Sequence, residues 1–190
     1  PLIEALRFQV AVPEVVQALR AQNQLTESLS LEEVAEWDAS WSTVKQAELL
    51  SNAASQRLQQ VIAASDGLIG EIVITDARGL NVAQTAATPD RWQADEEPWR
   101  RAFRSGVGGS FVGTLRFDRD MQALRRTVAV AISDPETGAL LGAAEIALLP
   151  EEVDVAIQRV AERSKRESPE PASRRATPAG GASSNRRRAP

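Results

Sequence analysis

The sequence contains no cysteine, no histidine and no tyrosine. The first two absences remove thiol catalysis, any triad that needs imidazole, and zinc or iron–sulfur sites of the usual ligand types. They also remove disulfides, so cysteine usage says nothing about compartment. Aromatic residues are only 4% of the chain, so its core must be built from Leu, Val, Ile and Ala, which a 43% apolar content allows. No run reaches the roughly 18 apolar residues that a membrane-spanning helix needs. No signal peptide is visible, and a start at Pro1 rather than Met carries the expectation of processing or trimming upstream.

What is present is unevenly charged. Residues 163–190 hold eight basic and two acidic side chains; with a net charge of −4, this leaves −10 on the first 162 residues. An acidic body excludes reading the whole chain as a nucleic-acid binder. The 190 residues suit one domain with appendages.

The first third reads as helix. Leu2, Leu6 and Val10, then Val15, Val16 and Leu19, recur at helical spacing across residues 2–24, and Pro13 fits the first turn of a second helix. Ser30 and Glu33 have capping-box spacing. Behind them Leu31, Val34, Trp37, Trp41 and Val44 form the stripe of one amphipathic helix. A further helix over about 52–64 ends at Gly67, a residue suited to a left-handed cap.

The period then changes to that of strands. "LIGEIVITD" and "LNVAQTAA" flank a "DARG" hairpin turn in which Gly79 takes the positive-φ position. Thr88 and Pro89 open a short helical turn, and Asp95 caps a second one that carries Trp99 and Phe103 on one face. Strands over about 111–117, 126–133 and 139–148 follow, the last two joined by the turn "DPETG". The expected fold class is α+β: N-terminal helices packed on a mainly antiparallel five-stranded sheet, with a helical insertion between strands two and three. Residues 1–66 form the helical region and 67–150 the sheet with its insertion at 88–105. Residues 151–163 read as a C-terminal helix and 164–190 as a disordered basic tail.

Two stretches carry a resemblance. "GEIVITDARGLNVAQT" and "TPDRWQADEEPWRRAF", closed by "AVAISDPETGALLGAAEIAL", resemble the Cache domain, a PAS-like sensor found outside the cytoplasm on bacterial receptors. The matching positions are Thr75, Asp76, Gly79, Val82, Ala83, Asp90, Trp92, Gln93, Asp95, Glu96 and Trp99, and the likeness extends over about residues 2–150. Arg91 stands where similar sequences often carry an aromatic residue. The resemblance implies a PAS-like sheet, a small-ligand pocket facing the insertion, a periplasmic or other extracytoplasmic location, a chemoreceptor-like role in signal transduction, and no catalysis.

On the residues themselves, Trp92 and Trp99 are candidate pocket walls or simply pack the insertion onto the sheet. Arg91, Arg100, Arg101 and Arg104 suit a carboxylate or are solvated, and Asp90, Asp95 and Glu96 suit an ammonium group. Ligand contacts are therefore expected from Trp92, Trp99, Arg91, Asp90, Gln93 and Asp95, with no cofactor and no metal. Asp118 and Asp120 lie two apart, as in some calcium loops, but the Gly and bidentate Glu of such a loop are missing, so a surface turn is expected. The serines lack a basic partner or nucleophile elbow, and the run Asp95, Glu96, Glu97 suits the dipole of a helix start. Trp37 and Trp41 read as helix packing or as a dimer face. The leading expectation is a sensor domain for a small polar metabolite, a carboxylate or an amino acid, with homodimerisation through the N-terminal helices and no nucleic-acid partner. The alternative is a ligand-free dimerisation or protein-interaction module.

Overall fold

The two-residue period of a strand sends successive side chains to opposite sides, which gives the sheet an apolar face and a face carrying its charged residues. The computed structural model describes residues 2–119 and 122–150. The expected helix at 151–163, the tail at 164–190 and Asp120 lie outside the described residues. Five strands, β1 (Ile69–Asp76), β2 (Asn81–Gln84), β3 (Ser110–Asp118), β4 (Ala123–Ser133) and β5 (Leu140–Leu148), form one antiparallel open sheet in the order β2-β1-β5-β4-β3. With its helices this is the expected α+β, PAS-like arrangement.

One face carries Ile72, Ile74, Val128, Val130, Ile132, Ala144, Ile146 and Leu148, all buried. They meet Leu6 and Val10 of α1 (Leu2–Val10), Val15, Val16 and Leu19 of α2 (Pro13–Thr26), and Leu58 and Val61 of α5 (Ala53–Ala63) in a single apolar core. Each such Ile or Val gains about 1.5–3 kcal/mol from leaving water. The opposite face carries Glu71, Val73 and Thr75 on β1, Arg125 and Thr127 on β4, and Ala143, Glu145 and Ala147 on β5, which follows from the two-residue period of a strand. Its cover is the insertion, whose helix α6 (Glu97–Phe103) packs on β3, β4 and β5.

Side chains lock the helical layer to the sheet. Arg20 on α2 makes a bidentate pair with Asp134 in the β4–β5 turn, at 2.6 and 2.7 Å. That hydrogen bonding holds the Asp134 carboxyl well below the usual carboxylate range. Asn23 donates to the Leu141 carbonyl and accepts from the Ala77 amide.

Two local expectations are corrected. The stripe from Leu31 to Val44 is not one helix. It divides into α3 (Leu31–Ala39) and α4 (Thr43–Ser51), with Trp41 in the break. Ser30 and Glu33 do form the capping box. The cause of the break is a pair of serines: Ser40 donates its hydroxyl to the Trp37 carbonyl, while Ser42 turns extended and caps α4 at the Lys45 amide. Leu31 and Val44 are consequently 75% and 68% exposed instead of sharing a buried stripe. The second correction lies in the insertion. No helical turn starts at Thr88; its hydroxyl instead donates to the Asp90 carbonyl at 2.8 Å. The segment runs on irregularly to α6, whose N-cap is Glu96 rather than Asp95, with no side-chain capping bond.

Candidate functional site

The polar face of the sheet and the insertion do not close on each other completely. Between them lies a cleft of about 470 Å³, bordered by the loop at 86–89, Gln93 and Glu96 above, and by Glu71, Arg125 and Glu145 of the sheet below. A second hollow of about 450 Å³ continues it toward β3, sharing Glu96, Arg125 and Glu145. Both volumes suit a small-molecule ligand. Directly under Trp99 the space shrinks to about 10 Å³, room for no more than a water.

The charge in this cleft is unbalanced. Arg125 faces Asp118 at 3.2 Å and Glu71 at 3.6 Å, so its single positive charge is already shared. Glu145 sits mid-strand, largely buried. Burial pushes its carboxyl up to about 7, the Glu96 charge pushes the same way, and Arg125 opposes. Burial also raises Glu71 and Glu96 above the usual carboxylate range. Burial is the main cause of all three shifts; the uneven charge itself comes from the lining, where Glu71, Glu96, Asp118 and Glu145 stand against Arg125.

The six residues expected to touch a ligand are divided by the structure. Gln93 borders the cleft, and its Nε2 donates to the Asp90 carboxylate at 2.6 Å. Asp90 is set behind it, with its carboxyl raised chiefly by burial. Trp99 is 8% exposed and stacks on Phe103 with 4.6 Å between ring centroids; its indole Nε1 has no hydrogen-bond partner among the described residues. Trp92 and Asp95 lie on the far side of the insertion, along a separate groove. Trp92 is fixed there by its indole N–H, which donates to the Arg78 carbonyl, and by a β-bridge to Leu80.

Arg91 borders neither space. Its guanidinium lies 4.5 Å from the centroid of the Trp37 ring and 5.8 Å from that of Trp41. These two indoles therefore turn onto the insertion. Trp41 also donates to the Thr88 carbonyl, and the Asp38 carboxylate accepts the backbone N–H groups of both Arg91 and Trp92, at 2.8 and 3.0 Å. The end of α3 is thus a clamp on residues 88–92, the stretch that leads into the cleft wall. Asp38→Ala leaves two part-buried amides without acceptors, so it should lower the unfolding free energy by about 2 kcal/mol. Amide exchange should rise at Arg91 and Trp92 ahead of the central strands; equal protection in variant and wild type would rule the clamp out.

Glu71, Arg125 and Glu145 were not among the expected site residues. Their signal was nevertheless present: each is a charged residue on an alternating strand, at a position whose neighbours two residues away share the same face.

No family model matches the chain, and no curated protein matches it. The chain is similar to solved ligand-binding domains of chemoreceptors. One is the Campylobacter jejuni chemoreceptor Tlp3 in complex with 4-methylisoleucine, at TM-score 0.40 and 12% identity, covering 79% of this chain and 59% of that one. Another is the Pseudomonas fluorescens chemoreceptor CtaA with L-alanine, at TM-score 0.37 and 14% identity, covering 78% and 56%. A third is the Pseudomonas aeruginosa PAO1 amino acid chemoreceptor PctC with GABA, at TM-score 0.37 and 14% identity, covering 78% and 60%. The chain spans less than two thirds of the length of these domains. Among the described residues no helix is long and apolar enough to cross a membrane.

Proposed function

We propose that this chain is an extracytoplasmic sensor domain whose sheet-face cleft binds a small metabolite bearing an ammonium group, an amino acid or an amine. The observation that carries the reading is the convergence of Glu71, Glu96 and Glu145 on one ligand-sized cleft where Arg125 is the basic side chain and is already paired. A simple carboxylate would add to that negative charge, whereas an ammonium group would relieve it. Arg125 is placed to meet the carboxylate of an amino acid once Glu71 turns to the ammonium. Of the segment around Trp92, Gln93 and Glu96 border this cleft. Ligand closing the cleft would pull on residues 88–93, and the Asp38 clamp would pass that shift to the N-terminal helices.

A thermal-shift panel of amino acids, linear amines and organic acids at pH 7.5 tests this. Some ammonium compounds are expected to raise the melting temperature, in a concentration-dependent way, while organic acids without an amine leave it unchanged. The proposal falls if the whole ammonium set gives no shift, or if plain carboxylates are the stabilising class.

A further inference from the structure

We propose that the groove on the opposite side of the insertion is a second binding site, for an organic anion with an apolar body. It does not depend on the reading of the sheet-face cleft. The groove lies between α3, the β1–β2 turn and α6, and encloses about 460 Å³. Its wall is aromatic and its rim basic: Trp92 and Trp99 line it, and Arg78, Arg100 and Arg104 surround it against a single acid, Asp95. This is the reverse of the charge in the other cleft, separated from it by the thickness of the insertion.

The basic rim is not explained by the fold. Arg100 on α6 and Arg104, the C-cap of α6, are one helical turn apart and form no ion pair among the described residues. Like charges at that spacing repel. The helix dipole offsets part of this for side chains in the last turn. It does not account for Arg78, which comes from a different element and meets the same groove while spending one N–H on the Leu29 carbonyl. Three guanidinium groups from two elements around one hollow form a carboxylate receptor, since each offers a planar fork of donors. The apolar part is equally exposed. Leu31, 75% exposed, and Val34 line the groove beside Trp92 and Trp99. An aryl or alkyl carboxylate would lay its apolar body against Trp92 and Leu31 and its charge between Arg100 and Arg104.

The test uses the full chain, ¹⁵N-labelled, titrated with sodium benzoate at low ionic strength. The four indole Nε1–H signals are followed and assigned through Trp→Phe variants. The signals of Trp92 and Trp99 should move and saturate, with a Kd of about 1–10 mM, while those of Trp37 and Trp41 stay. Benzyl alcohol, the same ring without the charge, should bind about tenfold more weakly or less. Arg100→Gln with Arg104→Gln, both at exposed positions, should weaken benzoate by about tenfold. Glu145→Gln should leave benzoate affinity unchanged, which separates this site from the sheet-face cleft. Absence of saturation, equal binding of benzyl alcohol, or unchanged affinity in the arginine double variant would each overturn the proposal.

Discussion

Asp76→Ala should bring the domain close to unfolding at room temperature, although Asp76 touches neither cleft. The residue ends β1 and is fully buried. One carboxylate oxygen accepts the backbone N–H groups of Arg78 and Leu80, both at 2.9 Å, which shapes the hairpin turn. The other accepts from the Thr26 hydroxyl at 2.9 Å and from Gln22 at 3.1 Å, both on α2. Alanine leaves the Leu80 and Arg78 amides without that acceptor, while Thr26 and Gln22 keep their bonds to the Gln22, Leu80 and Asn81 carbonyls. At about 1–3 kcal/mol for each buried donor left unsatisfied, the loss is about 4 kcal/mol. Domains of this size are stable by only about 5–15 kcal/mol. Asparagine keeps an acceptor toward the turn but turns an amide toward Gln22, itself a donor, so it should fall between the two. Urea unfolding of wild type, Asn and Ala variants should rank them in that order. An Ala variant as stable as wild type would show that the turn holds itself. The consequence reaches the insertion, because the same turn receives Gln93: its backbone N–H donates to the Gly79 carbonyl at 2.8 Å. Gly79 has φ +83, and an added Cβ there would lie 2.5 Å from that of Ala94, so the turn and insertion fit only with glycine at this position.

Much of this architecture was legible. Pro13 separates two helices where its missing N–H is harmless, Gly79 and Gly138 take positive φ in turns, and the alternation of β1, β4 and β5 assigns the helix-facing side of the sheet. What misled was the step of three and four from Leu31 to Val44, because periodicity registers where apolar residues fall and not whether the backbone stays helical between them. Ser40 and Ser42 decide that through short-range hydrogen bonds. The capping of α6 failed for a related reason. Asp95 is the better capping residue by type, yet the N-cap of α6 falls one residue later, at Glu96, with no side-chain capping bond.

The site was less legible than the fold. Its insertion was recognised, but charge in that segment said nothing of direction. Arg91 and Trp92 are adjacent in an irregular stretch and point to different neighbours: Arg91 to the indoles of Trp37 and Trp41, Trp92 to the second groove. The cleft's own carboxylates come from strands more than seventy residues apart, Glu71 and Glu145, and only the antiparallel pairing of β1 with β5 brings them to one face.

Glu145→Gln should make the domain more stable at pH 8 while abolishing its response to ammonium ligands. Its carboxyl, at about 7 in the folded protein, lies well above the ordinary value of 4.5, because burial disfavours the charge and Glu96 repels it. Between pH 4.5 and 7 the folded state therefore holds a proton that the unfolded chain has released. Stability falls as pH rises through that window, and at about 1.36 kcal/mol per unit the loss is about 3 kcal/mol by pH 8. Glu71 and Glu96 are raised too and act in the same direction. Asp134, displaced the other way, contributes stability that is present above the ordinary carboxylate range and lost toward acid, outside this window. Glutamine cannot ionise, so denaturation curves at pH 5 and pH 8 should lie closer together than for wild type, with about 2 kcal/mol gained at pH 8. The same ionisation governs the ligand. An ammonium group favours the charged carboxylate, so affinity in wild type should rise from pH 5 to pH 8, and the variant should show neither the thermal shift nor its pH dependence. A variant that is stabilised yet still responds to the amine would move the ligand out of this cleft. A variant destabilised at pH 8 would mean that Glu145 is held charged by a partner, and the surplus of negative charge on which the cleft's selectivity rests would not exist.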